Sequence, residues 1–159
     1  MNLADTQIKQ EFDADGYVAM YSFFEDNKIQ EIKNEIDRYI NDIVPNLPNH
    51  HVFYEDKSDK TTIKNLQQMF TYDDYFKKLI EESAIQEVAS FVLGEKAVPK
   101  NLQYFNKPAG VGKPTPPHQD GYYFMLKKHN AVTCWLALEK VDEENGCIHY
   151  VKGSHLVEE

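Results

Sequence analysis

Pro116-Pro117-His118-Gln119-Asp120-Gly121-Tyr122-Tyr123-Phe124 is the stretch on which the reading of this chain turns. One residue separates an imidazole from a carboxylate, just after a proline-rich segment and just before an aromatic run. On an extended strand, residues i and i+2 point to the same side. His118 and Asp120 can therefore converge on one ion. One His and one carboxylate are two of the three protein ligands in the facial triad that holds non-haem Fe(II) and leaves positions open for other ligands.

Working outward, 118–126 and 131–141 read as strands separated by a polar turn at 127–130. Glu144-Asn145-Gly146 is a hairpin turn signal, because Asn-Gly tolerates the positive φ values of a tight turn. Residues 147–151 read as the return strand, ended by Gly153-Ser154. Upstream, 107–117 holds four Pro and two Gly and reads as a loop. The segment 101–106 looks extended.

The first part of the chain has a different period. A short helix capped by Asp5 or Thr6 is expected to end at Gly16, with Ile8 and Phe12 on one face. Residues 17–20 are strand-like. Ile29, Ile32, Ile36, Ile40 and Ile43 recur at steps of three and four, the spacing of an amphipathic helix. Glu25 and Asp26 suit its N-terminus, and Pro45 and Pro48 end it. The polar segment 46–61 reads as a loop and 63–70 as a short helix. A longer helix is expected over 73–93, begun at Asp73-Asp74, with Phe76, Leu79, Ile80, Val88, Phe91 and Val92 inward and Gly94 just past its end.

Helices followed by antiparallel strands define an α+β class. The expectation is one domain over 1–159: a mainly helical part over 1–94 and the first strands of a jelly-roll core over 95–159. The sheet looks incomplete, since a double-sheet jelly roll takes about eight strands.

The bulk properties narrow the function. A chain of 159 residues with 42% hydrophobic content is globular. A formal charge of −9 argues against nucleic acid or an anionic membrane as partner, since both require a basic surface. Cys134 and Cys147 match no zinc pattern and read as small buried hydrophobes in a reducing, cytoplasmic compartment. The N-terminus lacks the apolar core of a signal peptide, and the longest apolar run, 131–138, is too short to span a bilayer.

The residues at 101–155 resemble the phytanoyl-CoA dioxygenase family of Fe(II)- and 2-oxoglutarate-dependent oxygenases. The resemblance is carried by Asn106-Lys107-Pro108 with its Gly-containing loop, His118-Gln119-Asp120, Trp135, Glu144-Asn145-Gly146-Cys147 and Gly153-Ser154-His155. Asp15-Gly16-Tyr17-Val18 looks like the family's opening. The resemblance implies a double-stranded β-helix fold with Fe(II), 2-oxoglutarate and O2 as cofactor and cosubstrates, ascorbate as an auxiliary reductant, and a small-molecule substrate. It implies His118 and Asp120 as metal ligands and Gln103, Lys107 and Trp135 as cosubstrate-lining residues. Gln103 and Lys107 are four apart, so an unbroken strand would place them on one face. Related halogenases replace the carboxylate ligand with a small residue, so Asp120 implies hydroxylation.

The family also carries a distal His and an Arg that pairs with the far carboxylate of 2-oxoglutarate. Neither is found here, and the single Arg is Arg38, in the N-terminal half. Two readings follow: the N-terminal part of a dioxygenase, or a catalytically inactive member that acts as a binding or regulatory module. An incomplete sheet also invites self-association through an exposed edge.

Each residue has a plainer reading. A lone His-x-Asp is common on surface strands. His129, His149 and His155 are candidate third ligands, but a His is more often exposed or hydrogen-bonded than metal-bound. Lys107 beside a proline reads as a solvated loop lysine, and Trp135 as a core aromatic. Tyr122, Tyr123 and Phe124 either shape a substrate cavity or simply pack. His50-His51 is no metal pair, because adjacent strand residues face opposite ways.

Overall fold

A computed structural model describes residues 3–121 and 130–157. The first helix, α1, spans Leu3–Asp15. It begins earlier than expected, so Asp5 and Thr6 lie inside it. It stops at Gly16, whose φ of +81° reverses the chain. No strand forms at 17–20.

Helix α2 spans Asp26–Arg38 and buries Ile32 and Ile36. The isoleucine stripe continues into a π-helical turn, Tyr39–Ile43, and a 3-10 turn, Val44–Asn46, with Pro45 inside it. The expected single helix therefore changes gauge at Tyr39. That residue is wholly buried and meets Phe76 edge-on, with ring centroids 5.4 Å apart. Widening the turn keeps Ile40 and Ile43 against the core.

The polar stretch 46–61 is more ordered than its composition suggests. It contains a 3-10 turn, Asn49–His51, and strand β1, Val52–Tyr54. β1 pairs antiparallel with β2, Ile63–Leu66, which pairs in turn with β3, Tyr104–Phe105. The expected helix at 63–70 is thus mostly a central strand. β2 is flanked on both sides, and Ile63, Asn65 and Leu66 are buried there. Two antiparallel partners outweigh a short run of helix-compatible residues. Only Met69–Tyr72, α3, is helical.

The expected helix 73–93 is two helices, α4 (Asp74–Glu81) and α5 (Ala84–Leu93). Ser83 makes the break. Its hydroxyl donates to the Leu79 carbonyl at 2.5 Å and accepts from the Ile85 amide at 3.2 Å, closing one helix while capping the next. Gly94, with φ of +72°, ends α5 as expected.

The core joins Ile32, Ile36 and Tyr39 to Ile63, Leu66, Met69, Phe76 and Leu79. Leu136 and Leu138 from the C-terminal third pack on its edge. The period of two predicted for 131–141 therefore survives. The predicted strands at 131–141 and 147–151 do not form: among the described residues neither has a ladder partner. A strand exists only through a neighbour's amides and carbonyls. In 95–159 the strand content among the described residues is β3 alone. The α+β class holds, with helices around a small antiparallel sheet.

The Asn-Gly turn does form. Cys147 N–H donates to the Asp142 carbonyl at 2.9 Å, and Gly146 has φ of +87°. A 3-10 turn, Ser154–Leu156, ends the described chain, and no described helix is long and apolar enough to cross a membrane.

Candidate metal centre

His118 follows the proline-rich loop, where Pro116 offers a carbonyl that no proline amide can pair locally. The ring's Nδ1 lies 2.8 Å from that carbonyl oxygen. A carbonyl can only accept, so Nδ1 carries the proton, and in the neutral ring the lone pair is on Nε2. Nε2 faces Asp120 Oδ1 at 3.3 Å. Two donors in cis positions of an octahedral ion with bonds of about 2.1 Å stand about 3.0 Å apart. The pair therefore fits two adjacent coordination positions. Both side chains are partly exposed, at 37% and 44%.

The sequence placed this motif on a strand. The backbone is instead helical at Asp120 and Gly121, and the rest of the predicted strand, including Tyr122, Tyr123 and Phe124, lies outside the described residues. Convergence of the two donors thus comes from the loop geometry and from bonds made by their neighbours. Thr133 Oγ donates to Asp120 Oδ2 at 2.5 Å. The Gln119 amide donates to the carbonyls of Ser154 and Val157 at 3.2 and 3.1 Å.

That 3-10 turn is itself tied to α1. Gly153 N–H donates to the Asp15 carbonyl at 2.8 Å, Lys152 pairs with Asp15 at 2.8 Å, and His155 Nε2 donates to the Asp13 carbonyl at 3.1 Å. Tyr17 stacks on Tyr150 with centroids 5.1 Å apart. Burial pushes the Tyr150 phenol up, and the nearby Asp120 charge and Cys134 add to it.

The candidate third ligands are placed otherwise. His155 is committed to Asp13. His149 Nε2 lies 3.5 Å from Cys147 Sγ. His129 lies outside the described residues. Among the described residues no group of three or more His, Cys, Asp or Glu side chains is gathered for a metal.

The predicted cosubstrate residues have different immediate surroundings. Lys107 Nζ donates to the Gly146 carbonyl at 2.9 Å, and its stem lies against Gly146, so it braces the Asn-Gly turn. Gln103 Oε1 accepts from the buried Asn65 at 3.2 Å, beside a shallow groove lined by Phe53, Tyr54, Lys64, Gln67 and Phe105. Trp135 is 46% exposed, which corrects its reading as a core aromatic. Leu136 and Leu138 turn inward, so Trp135 turns out. Cys134 is likewise exposed, not buried, and Cys147 is only half-buried.

Two residues that bear on the site were missed. Thr133 is a hydroxyl inside the apolar run 131–138, and that polar interruption was the available signal. Asn65 is a buried amide in β2, hidden because the segment read as a helix. Its Nδ2 donates to the Tyr104 carbonyl at 3.0 Å as well as to Gln103.

A His and a carboxylate converging within an α+β fold define a class of candidate metal-dependent proteins. A sequence model of the phytanoyl-CoA dioxygenase (PhyH) family matches residues 12–159, and the chain belongs to that family. It is 24% identical to a phytanoyl-CoA dioxygenase domain-containing protein 1 homolog of Caenorhabditis briggsae, covering 94% of this chain and 65% of the relative. It is 26% identical to the peroxisomal phytanoyl-CoA dioxygenase of Mus musculus, covering 97% of this chain and 48% of the relative. The chain thus spans about half to two thirds of the length of these relatives. Among solved structures, EctD from S. alaskensis with bound Fe superposes with a TM-score of 0.61 at 17% identity, over 73% of this chain and 39% of EctD. EctD with 2-oxoglutarate and 5-hydroxyectoine gives 0.59 at 17% identity, over 71% and 38%. At that identity the likeness is one of fold.

Proposed function

We propose that this chain is the His-x-Asp-bearing part of an Fe(II)/2-oxoglutarate-dependent dioxygenase that hydroxylates a small molecule. The observation that carries the proposal is the convergence of His118 Nε2 and Asp120 Oδ1 at 3.3 Å, with Nδ1 held by the Pro116 carbonyl. Fixing the distal nitrogen of a ligating imidazole sets its tautomer and aims its lone pair. The oxidising chemistry belongs to the bound iron, 2-oxoglutarate and O2. His118 and Asp120 hold the metal, and a retained carboxylate ligand favours hydroxylation. Lys107, Gln103 and Trp135 are assigned to the cosubstrate side. Lys107 brings an ammonium suited to a carboxylate, which in this chain donates to Gly146 instead. The same reading makes 1–159 one domain, with β1 and β3, the outer strands among the described residues, as edges for self-association.

The rival reading is a binding module without turnover. It is favoured by the position of Arg38, the single arginine, which is held between Glu35 at 2.6 Å and Asp73 at 2.7 Å in the helical layer. Within residues 1–159 no guanidinium is then free for a cosubstrate carboxylate.

The test is an anaerobic Fe(II) titration with 2-oxoglutarate, followed by the charge-transfer band of the chelate and by metal binding. The expected outcome is saturable binding that H118A and D120A each weaken about 100-fold. Binding unchanged in both variants would overturn the assignment. Succinate formation then separates the enzyme from the binding module.

A further inference from the structure

We infer that Thr133 is a positioning residue for Asp120, holding it as a one-oxygen metal ligand aimed at the position shared with His118. The inference rests on the reading of His118 and Asp120 as ligands and adds a residue to it. A carboxylate is acceptor-only, so the Thr133 hydroxyl donates, and 2.5 Å to Oδ2 is the length of a charge-assisted O–H···O bond. The bond occupies one carboxylate oxygen. The other, Oδ1, is the one that faces His118 Nε2.

Without the hydroxyl, rotation about the Asp120 side chain would exchange the two oxygens and swing the carboxylate, which is 44% exposed, toward solvent. Thr133 can impose this restraint because its own segment is anchored. Leu136 and Leu138, three and five residues on, pack against the core. The two metal-facing atoms are thus each fixed by a bond on the far side of their group: Pro116 for the imidazole and Thr133 for the carboxylate.

The carboxylate–threonine bond is exposed, so it adds little to folding stability. A positioning role and a merely structural one therefore predict different results. In the anaerobic titration, Thr133→Val keeps the shape and removes the donor, while Thr133→Ser keeps the donor. The expected result is an affinity for Fe(II) reduced about 10-fold in T133V and largely restored in T133S, with both melting like the parent chain. Parental affinity in T133V would overturn the inference, as would equal losses in T133V and T133S, which would mark a packing role. If H118A also leaves Fe(II) binding unchanged, the ligand assignment itself falls and the inference with it. If H118A abolishes binding while T133V does not, only the role of Thr133 falls.

Discussion

Gly16 shows how much one residue can decide. Its φ of +81° lets the chain leave α1, and its bare Cα sits against the His155 ring, where a methyl group would overlap the imidazole. Through that contact the N-terminal helix holds the 3-10 turn on which Gln119 is braced. Gly16→Ala should cost about 2 kcal/mol from the left-handed backbone and the overlap together. For a chain of this size, a fall in melting temperature of about 4–8 °C is expected in calorimetry. Adding H155A should recover the steric part, and a single variant that melts like the parent would refute the account. The Asp15-Gly16 pair was legible in sequence as a helix stop. Its contact with a residue far along the chain was not, because nothing local encodes it.

At the scale of elements, Asp73 serves two structures at once. Its Oδ1 accepts from the Tyr75 and Phe76 amides at 3.0 and 3.4 Å, capping α4, while Oδ2 accepts from Arg38 at 2.7 Å and ties α4 to α2. The side chain is only 9% exposed. Losing the cap alone costs about 1 kcal/mol, and stranding part of the Arg38 pairing adds to it. Asp73→Ala should therefore cost about 2 kcal/mol in urea denaturation, and Asp73→Asn, which keeps a cap acceptor, about half of that. Equal losses would show that the charge pair alone matters. The cap was readable from Asp73-Asp74, as was the isoleucine stripe of α2. The division of 73–93 at Ser83 was also written locally, since the bonds of its hydroxyl go to Leu79 and Ile85, four residues before and two after it, but that capping signal was passed over. The strand at Ile63–Leu66 was not legible, because β2 is a strand only through β1 and β3 beside it.

At the scale of the molecule, Tyr39 is the centre of the core and its hydroxyl is buried without a partner among the described residues. Burial, with the Asp73 and Tyr72 charges adding, pushes its phenol up to about 12 from an ordinary 10.0. A raised folded value means that the folded state holds the proton more tightly. The resulting stability is complete below about pH 10 and is lost as pH rises toward 12, roughly 2–3 kcal/mol in all. Tyr39→Phe should be neutral or slightly stabilising at neutral pH, since it removes an unsatisfied group. It should also unfold with a shallower loss above about pH 10 in denaturant titrations, and an equal alkaline loss in both proteins would rule out this role. What the sequence by itself determined was the α+β class, the helical stripe and the Asn-Gly turn, because each is written in local spacing and turn chemistry. Only the tertiary structure decided that 131–141 packs Leu136 and Leu138 without becoming a strand, that Lys107 braces Gly146, and that Thr133 reaches Asp120. Those outcomes depend on which distant backbone or side chain comes within bonding distance, and no local pattern carries that information.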